Sequence, residues 1–212
     1  MRAKVETDIV AARGVRVELG GRPVLDAVDL TAGPGRIVAV TGENGAGKST
    51  LLRCLAGLET PSAGRVEVLG GPPADTPAFW RDVAQAADEP AWYPGLSVRE
   101  HLELALSVHG RGRLTAEGAL TAFGLEERAD LHPLSLSTGQ RQRLTLAMAL
   151  IRPSRLLLLD EPERGLDAAF RERLAGLLRE YAGEGGAVVM ATHDLALARD
   201  CGARLAPLGE AR

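Results

Sequence analysis

The chain has 212 residues, of which 45% are hydrophobic, so it can bury a core without disulfides and has the length of one or two domains. Lys and Arg number 25 and Asp and Glu 28, a net charge of -3, which argues against bulk electrostatic binding of nucleic acid. Cys54 and Cys201 stand far apart, which excludes a disulfide framework or cysteine metal site. The sequence shows neither a signal peptide nor an apolar run of ~18 residues, so we expect a cytoplasmic protein.

The first part of the chain alternates between apolar and polar residues. Residues 15–19 alternate, Gly20 and Gly21 mark a turn, and apolar positions resume over residues 24–30. Residues 65–69 alternate in the same way. Alternation of period two around a glycine turn predicts a short antiparallel β layer.

Three continuous apolar runs follow a different pattern, at residues 37–40, 156–159 and 187–191. Runs without alternation are typical of strands buried on both faces, as in a parallel sheet covered by helices. Each run ends abruptly in polar residues, and ligands of such sheets bind beyond the carboxyl ends of the strands. We therefore expect the three polar endings to meet at one edge.

Residues 89–153 have a helical character. Two capping boxes start helices there: Ser97 with Glu100 before residues 98–108, and Ser137 with Gln140 before residues 140–151. The sequence predicts a single domain, residues 1–212, in which residues 1–88 and 154–212 form a nucleotide-binding type of core and residues 89–153 are inserted as a helical subdomain.

A glycine-rich segment that fits GxxxxGK[ST] follows the first apolar run directly. It comprises Gly42, Glu43, Asn44, Gly45, Ala46, Gly47, Lys48 and Ser49, with Thr50 next in the helix predicted over residues 48–56. Backbone N–H groups of such a loop cradle phosphate oxygens, Lys48 would reach the β- and γ-phosphates, and Ser49 would hold Mg²⁺. The alternative is a plain glycine-rich turn, but Lys48 is one of two lysines in the sequence and its strand-to-helix context favours phosphate binding.

The second apolar run ends in Asp160 and Glu161. Beside a phosphate loop, one acid can hold Mg²⁺ and the next can activate an attacking water. The alternative is that both acids cap a helix that starts at Pro162. The phosphate loop upstream makes this alternative the weaker one.

Residues 136–140 read Leu-Ser-Thr-Gly-Gln. Alone they would be only the capping box, but together with the phosphate loop, the acidic strand end, residues 165–167 and His193 they resemble the nucleotide-binding subunit of an ABC transporter. The signature of that family is LSGGQ, and Thr138 replaces one glycine here. The resemblance covers nearly the whole chain and implies an α/β fold, a P-loop NTPase core with a mostly parallel sheet, an N-terminal antiparallel β layer and a helical subdomain insertion.

The resemblance also implies a mechanism in which two cassettes bind two ATP molecules in a head-to-tail sandwich. It implies that Lys48, Ser49 and Asp160 bind ATP and Mg²⁺. It implies that Ser137, Gly139 and Gln140 contact the γ-phosphate of the ATP bound to the other chain. Glu161 would be the general base, His193 would contact the γ-phosphate, and Asp167 would contact the other chain. Two positions depart from the family pattern. Leu19 stands where an aromatic residue usually stacks on adenine, and it would offer only apolar contact there. Asp88 stands where a glutamine usually touches Mg²⁺. It would take that place at the metal through its carboxylate, and the alternative is a solvated loop carboxylate too short to reach the ion.

The expected function is thus that of the ATPase subunit of a transporter, peripheral on the cytoplasmic face of the membrane, with a separate polytopic permease, a second cassette and no nucleic acid as partners. The short stretch after His193 favours export. A phosphate-loop kinase or GTPase would leave the Leu-Ser-Thr-Gly-Gln segment and His193 without roles. A soluble ABC ATPase of DNA repair or translation usually shows a long coiled-coil insertion or two cassettes, and this sequence has neither.

Overall fold

The computed structural model describes residues 8–86, 92–110 and 112–209. In chain order its strands and helices are β1 (Val10–Leu19), β2 (Arg22–Ala32), β3 (Ile37–Thr41), α1 (Lys48–Leu55), β4 (Ala63–Val68), α2 (Pro77–Asp82), β5 (Val83–Ala86), α3 (Val98–His109), α4 (Ala116–Phe123), α5 (Thr138–Leu150), β6 (Leu156–Asp160), α6 (Ala168–Gly183), β7 (Ala187–Ala191), α7 (Leu195–Asp200) and β8 (Arg204–Pro207). Short 3₁₀ turns at Glu126–Arg128 and Pro133–Ser135 lie between α4 and α5. None of the helices in these described ranges has both the length and the apolar character needed to cross a bilayer.

The described strands form two sheets: the antiparallel one confirms the prediction from alternation, and the parallel one confirms the prediction from continuous apolar runs. The first has the order β2-β1-β4, with antiparallel pairing throughout. The second has the order β5-β6-β7-β3-β8, with parallel pairing throughout. In the parallel sheet the carboxyl ends of β3, β6 and β7 lie at the same edge, as expected from the three polar endings.

Both faces of the parallel sheet are covered, which explains why its strands are continuously apolar. Val38 and Leu158 pack into a core shared with α1 and the antiparallel sheet. Their neighbours Ala39 and Leu157 face the other way, into a core shared with α3 to α6. Because successive side chains of a strand point to opposite faces, every residue of these strands needs an apolar neighbour.

The predicted helices are present with small differences at their ends. The structure ends α1 at Leu55 rather than Ala56, extends α3 to His109, and places α5 at Thr138–Leu150 rather than residues 140–151. The earlier start of α5 follows from its N-cap at Ser137, which puts the next residues in the first helical turn. Both predicted capping boxes are formed.

Candidate functional site

The phosphate loop follows β3 and encloses the ammonium group of Lys48. Lys48 is buried, and its Nζ donates hydrogen bonds to the carbonyl oxygens of Gly42 and Glu43, both at 2.9 Å. The lysine is therefore held within the loop, and its contact with the phosphates stays a prediction. Burying an ammonium group costs free energy unless it donates hydrogen bonds, and the two carbonyl oxygens of the loop accept them.

The first turn of α1 keeps its backbone N–H groups available. Its N-cap is Gly47, in the left-handed region with φ 88°, and it contributes no side-chain cap. A Cβ at this position would lie 2.6 Å from Leu25 Cδ2 and 2.7 Å from the carbonyl oxygen of Val24, so only glycine fits. The uncapped N–H groups and the positive end of the helix dipole suit a phosphate anion.

Two oxygen donors fit a magnesium ion at this edge. Ser49 lies exposed in the first turn of α1, and Asp160 ends β6, against which α1 packs. Among the described residues, His, Cys, Asp and Glu form no group of three that could hold a metal alone. Mg²⁺ suits this set, because it usually binds through one or two protein oxygens together with substrate phosphates and water.

Glu161 has an unusual backbone conformation, with φ 45°. The left-handed region costs a non-glycine residue roughly 1–3 kcal/mol, and such strain clusters at functional sites. The backbone N–H of Glu161 donates to the carbonyl oxygen of Ala191 at 2.9 Å, which fixes this residue to the end of β7. The alternative that Asp160 and Glu161 cap a helix at Pro162 is wrong, because a turn follows β6 and the next helix begins at Ala168.

The structure brings Glu161 and His193 together. His193 follows β7, and its Nδ1 lies 3.8 Å from Glu161 Oε1. The His193 side chain is 60% exposed and that of Glu161 is 33% exposed, so both can reach a ligand beyond the sheet edge. A carboxylate and a histidine at this separation can together orient and deprotonate a water molecule.

The signature segment begins α5 and touches the turn that contains Glu161. Ser137 Oγ accepts the N–H of Gln140 at 3.2 Å, and Gln140 Oε1 accepts the N–H of Ser137 at 3.0 Å. One turn later, Gln142 Nε2 donates to the carbonyl oxygens of Glu161 at 3.4 Å and Pro162 at 3.3 Å. Gln142 belongs to no motif, so this contact could not be predicted from the sequence.

Asp167 has a structural role within its own chain. It is the N-cap of α6, with Oδ1 accepting the N–H of Phe170 at 2.8 Å and Oδ2 accepting a guanidinium N–H of Arg143 at 2.6 Å. The hydrogen bond from Phe170, aided by the charge of Arg143, lowers the pKa of the Asp167 carboxyl below its ordinary value. Whether Asp167 also contacts a second chain stays a prediction.

The two departures from the family pattern differ in what the structure describes. Leu19 ends β1 with 45% of its surface exposed, in the hairpin whose Val24 and Leu25 touch the phosphate loop. Its contact with adenine stays a prediction. Asp88 lies outside the described residues, so its role at the metal also stays a prediction.

Glu163 belongs to no predicted motif but lies beside His193. It is buried, and its Oε1 accepts the hydroxyl proton of Thr192 at 2.6 Å and the backbone N–H of His193 at 3.3 Å. The sequence feature that could have indicated Glu163 is a third acid two residues after Glu161, directly following Pro162.

Comparison with known proteins agrees with this geometry. The family model described as ABC transporter matches residues 25–164. The chain is 41% identical over 194 residues to the cytochrome c biogenesis ATP-binding export protein CcmA of Bordetella parapertussis, covering 90% of this chain and 85% of that one. It is 44% identical over 190 residues to the aliphatic sulfonates import ATP-binding protein SsuB 2 of Pseudomonas aeruginosa, covering 88% and 66%.

Two solved structures share the fold. An ATP-binding subunit of an ABC transporter superposes with a TM-score of 0.83 at 30% identity, covering 94% of this chain and 85% of that one. A dimeric ATP-binding cassette in a post-hydrolysis state with ADP and Pi superposes with a TM-score of 0.82 at 28% identity, covering 94% of both. With the phosphate loop, the acidic strand end and His193 gathered at one sheet edge, the chain belongs to the ABC transporter family, as an ATP-binding and ATP-hydrolysing subunit.

Proposed function

We propose that two copies of this cassette, or this cassette and a similar one, bind ATP between them and drive a separate membrane-spanning permease. The observation that carries the proposal is the pairing of Glu161 with His193, at 3.8 Å, on the sheet edge where Lys48 lies inside the phosphate loop. The position of the chain is then peripheral on the cytoplasmic face of the membrane.

The residues of one chain have separate tasks in this mechanism. The N–H groups of the loop and Lys48 bind the phosphates, and Ser49 and Asp160 hold Mg²⁺, which neutralises charge on the phosphate oxygens when bound. Glu161 accepts the proton of the attacking water, and His193 contacts the γ-phosphate. Each of these groups lies at or just beyond the carboxyl end of a parallel strand, where α/β sheets bind ligands.

The signature of the second cassette completes the site. Its Ser137 and Gly139 start α5, and the exposed N-terminus of that helix suits the γ-phosphate anion. The dimeric relative with ADP and Pi supports this arrangement. In the same assembly we assign Leu19 to apolar contact with adenine, Asp167 to contact between chains and Asp88 to the metal.

The first experiment uses Glu161→Gln, which keeps the length of the side chain and removes its negative charge. ATP binding should persist, whereas turnover should fall by at least about a hundredfold because the base is lost. ATP should also trap a dimer on size exclusion, since one negative charge near the γ-phosphate is gone. Exposed Glu172→Gln, on α6, is the matched control and should behave as the wild type. Near-normal turnover of Glu161→Gln would contradict the assignment of the base.

The second experiment separates two roles of Ser137: capping α5 in its own chain and contacting the ATP of the other cassette. Both Asp and Asn are good N-caps, so Ser137→Asp and Ser137→Asn should melt at nearly the wild-type temperature. Only Ser137→Asp places a negative charge toward the γ-phosphate of the other cassette, so it alone should abolish turnover while the monomer still binds ATP. Equal turnover of the two variants would count against the head-to-tail site.

The permease partner is tested by purification from intact membranes. Recovery of a polytopic membrane protein supports transport, and its identity decides between export, as in the name of CcmA, and import, as in the name of SsuB. Recovery of ribosomes or DNA in its place would favour an ABC ATPase of translation or repair.

A further inference from the structure

Glu163 is a buried carboxylate that the mechanism above does not use. The residue is 7% exposed and lies in the turn between β6 and α6. Removing a carboxylate from water costs several kcal/mol, so a buried one is stable only with good hydrogen bonds. Its Oε1 has two of them, from the hydroxyl of Thr192 at 2.6 Å and the backbone N–H of His193 at 3.3 Å.

These bonds fasten the segment that carries His193. Thr192 is fully buried, and its Oγ1, which donates to Glu163, accepts the N–H of Asp194 at 2.9 Å. A single carboxylate oxygen thus orders three consecutive residues at the end of β7. The backbone of His193 is therefore held by a hydrogen bond to a carboxylate in the protein interior.

The second oxygen of the same carboxylate is buried and finds no hydrogen-bond partner among the residues that the structure describes. An unsatisfied buried carboxylate oxygen calls for a physical reason. The oxygen that lies 3.8 Å from His193 Nδ1 is the other one, Oε1, so a movement of about 1 Å would bring the ring within hydrogen-bond distance of this carboxylate, which has acceptor capacity to spare. The His193 side chain is 60% exposed, which leaves its ring free to turn.

Two carboxylates compete for this nitrogen, because Glu161 Oε1 also lies 3.8 Å from it. They differ in their access to water: the side chain of Glu161 is 33% exposed and that of Glu163 is 6% exposed. Only Glu161 can meet the attacking water. If Nδ1–H donates to Glu163, both oxygens of Glu161 stay available for the proton of that water.

We propose that Glu163 is a positioning residue for His193, whose Nδ1–H it accepts during ATP hydrolysis. A histidine that donates from Nδ1 to a carboxylate has a fixed ring orientation, which turns Nε2 toward the substrate, and Nε2 then needs a proton of its own to donate to a γ-phosphate oxygen. The proposal rests on the roles given above to Glu161 and His193. It adds a second acid with a task different from that of the base.

The test measures kcat and the Kd for ATP in Glu163→Leu and Glu163→Gln. Glu163→Leu removes every acceptor, so kcat should fall about 10- to 100-fold, the loss seen when the group that orients a metal-bound histidine is removed. The Kd for ATP should change less than about threefold, because Glu163 does not contact nucleotide. Glu163→Gln keeps an amide oxygen in the same place and should restore most of the lost kcat. Glu172→Leu is the control for a change of the same size at an exposed position of α6.

Two further readouts separate positioning from a general loss of structure. The ¹⁵N shifts of the imidazole should show a proton on Nδ1 of His193 in the wild type with ATP, and this proton should be lost in Glu163→Leu. In a His193→Ala background, Glu163→Leu should change kcat by less than about twofold, because two residues that act as one unit are not additive.

Three results would each overturn the proposal: wild-type kcat in Glu163→Leu, an Nδ1 of His193 without a proton in the wild type with ATP, or an undiminished effect of Glu163→Leu in the His193→Ala background. The Nδ1 proton is measured on the wild type, so the proposal remains decidable if Glu163→Leu does not fold. Turnover by Glu161→Gln reports on the base alone, so its failure is separate from a failure here.

Discussion

Gly139 of α5 packs directly against the carbonyl oxygen of Gly165, so closely that a Cβ on Gly139 would overlap that oxygen. The start of the signature helix and the turn after β6 therefore meet backbone to backbone. Gln142 strengthens the same contact through its hydrogen bonds to the carbonyl oxygens of Glu161 and Pro162. The signature glycine thus has a packing role inside its own chain, besides the proposed contact with the γ-phosphate.

Gly139→Ala should disturb this contact. The added methyl group must displace the turn after β6, and such overpacking costs about 1–3 kcal/mol. Thermal melting should show lower stability, and ATPase measurements should show reduced turnover with ATP binding by the monomer unchanged.

Gly176→Ala is the matched control for this substitution. Gly176 lies inside α6, where a Cβ would meet only the end of the Arg179 side chain at 3.9 Å. Because alanine favours helix over glycine by up to about 1 kcal/mol, this variant should be at least as stable as the wild type. Equal melting temperatures for the two alanine variants would contradict the role given to the Gly139–Gly165 contact.

Lys48→Met removes the ammonium group but keeps the apolar stem. The variant loses the hydrogen bonds to the carbonyl oxygens of Gly42 and Glu43 and the charge that the phosphates require. A hydrogen bond to a charged group contributes roughly 1.5–3 kcal/mol, so the Kd for ATP should rise at least about tenfold. Calorimetric titration with ATP measures it. Lys4→Met, at the other lysine of the sequence, should bind ATP as the wild type does, and unchanged affinity in Lys48→Met would argue against the phosphate loop.

Asp167→Asn tests the charge of the α6 cap. The native pKa of Asp167 lies below its ordinary value, chiefly because of the hydrogen bond from Phe170 N–H, so the carboxylate stabilises the fold above the unfolded-state pKa. This contribution is lost as the pH falls through the native pKa. Asparagine keeps the capping oxygen without the charge, so its melting temperature should lie below that of the wild type at neutral pH and approach it below about pH 4.

Melting curves of Asp8→Asn over the same pH range are the control, because Asp8 is an exposed aspartate outside the helices. A melting-temperature difference for Asp167→Asn that is the same at neutral and acidic pH would show that the charge of Asp167 does not stabilise α6.

The parts of the fold that depend on neighbouring residues could be predicted from the sequence. The phosphate loop, the two capping boxes and the buried parallel strands each follow from residues a few positions apart, because turns, caps and strand burial are set by local backbone geometry and hydrophobicity. The strands β5 and β8 were not predicted, because each has four residues, too few to show a pattern of apolar and polar positions.

The amino-acid sequence by itself determined that the chain carries a phosphate loop, an acidic strand end and a signature at a helix start. Only the tertiary structure decided which groups meet. The placement of His193 between Glu161 and Glu163 depends on β6 and β7 being neighbours in the sheet, and the contact of Gly139 with Gly165 depends on how α5 packs beside that sheet. Such contacts join residues far apart in the chain, and their distances are set by the packing of whole elements, which no local spacing encodes.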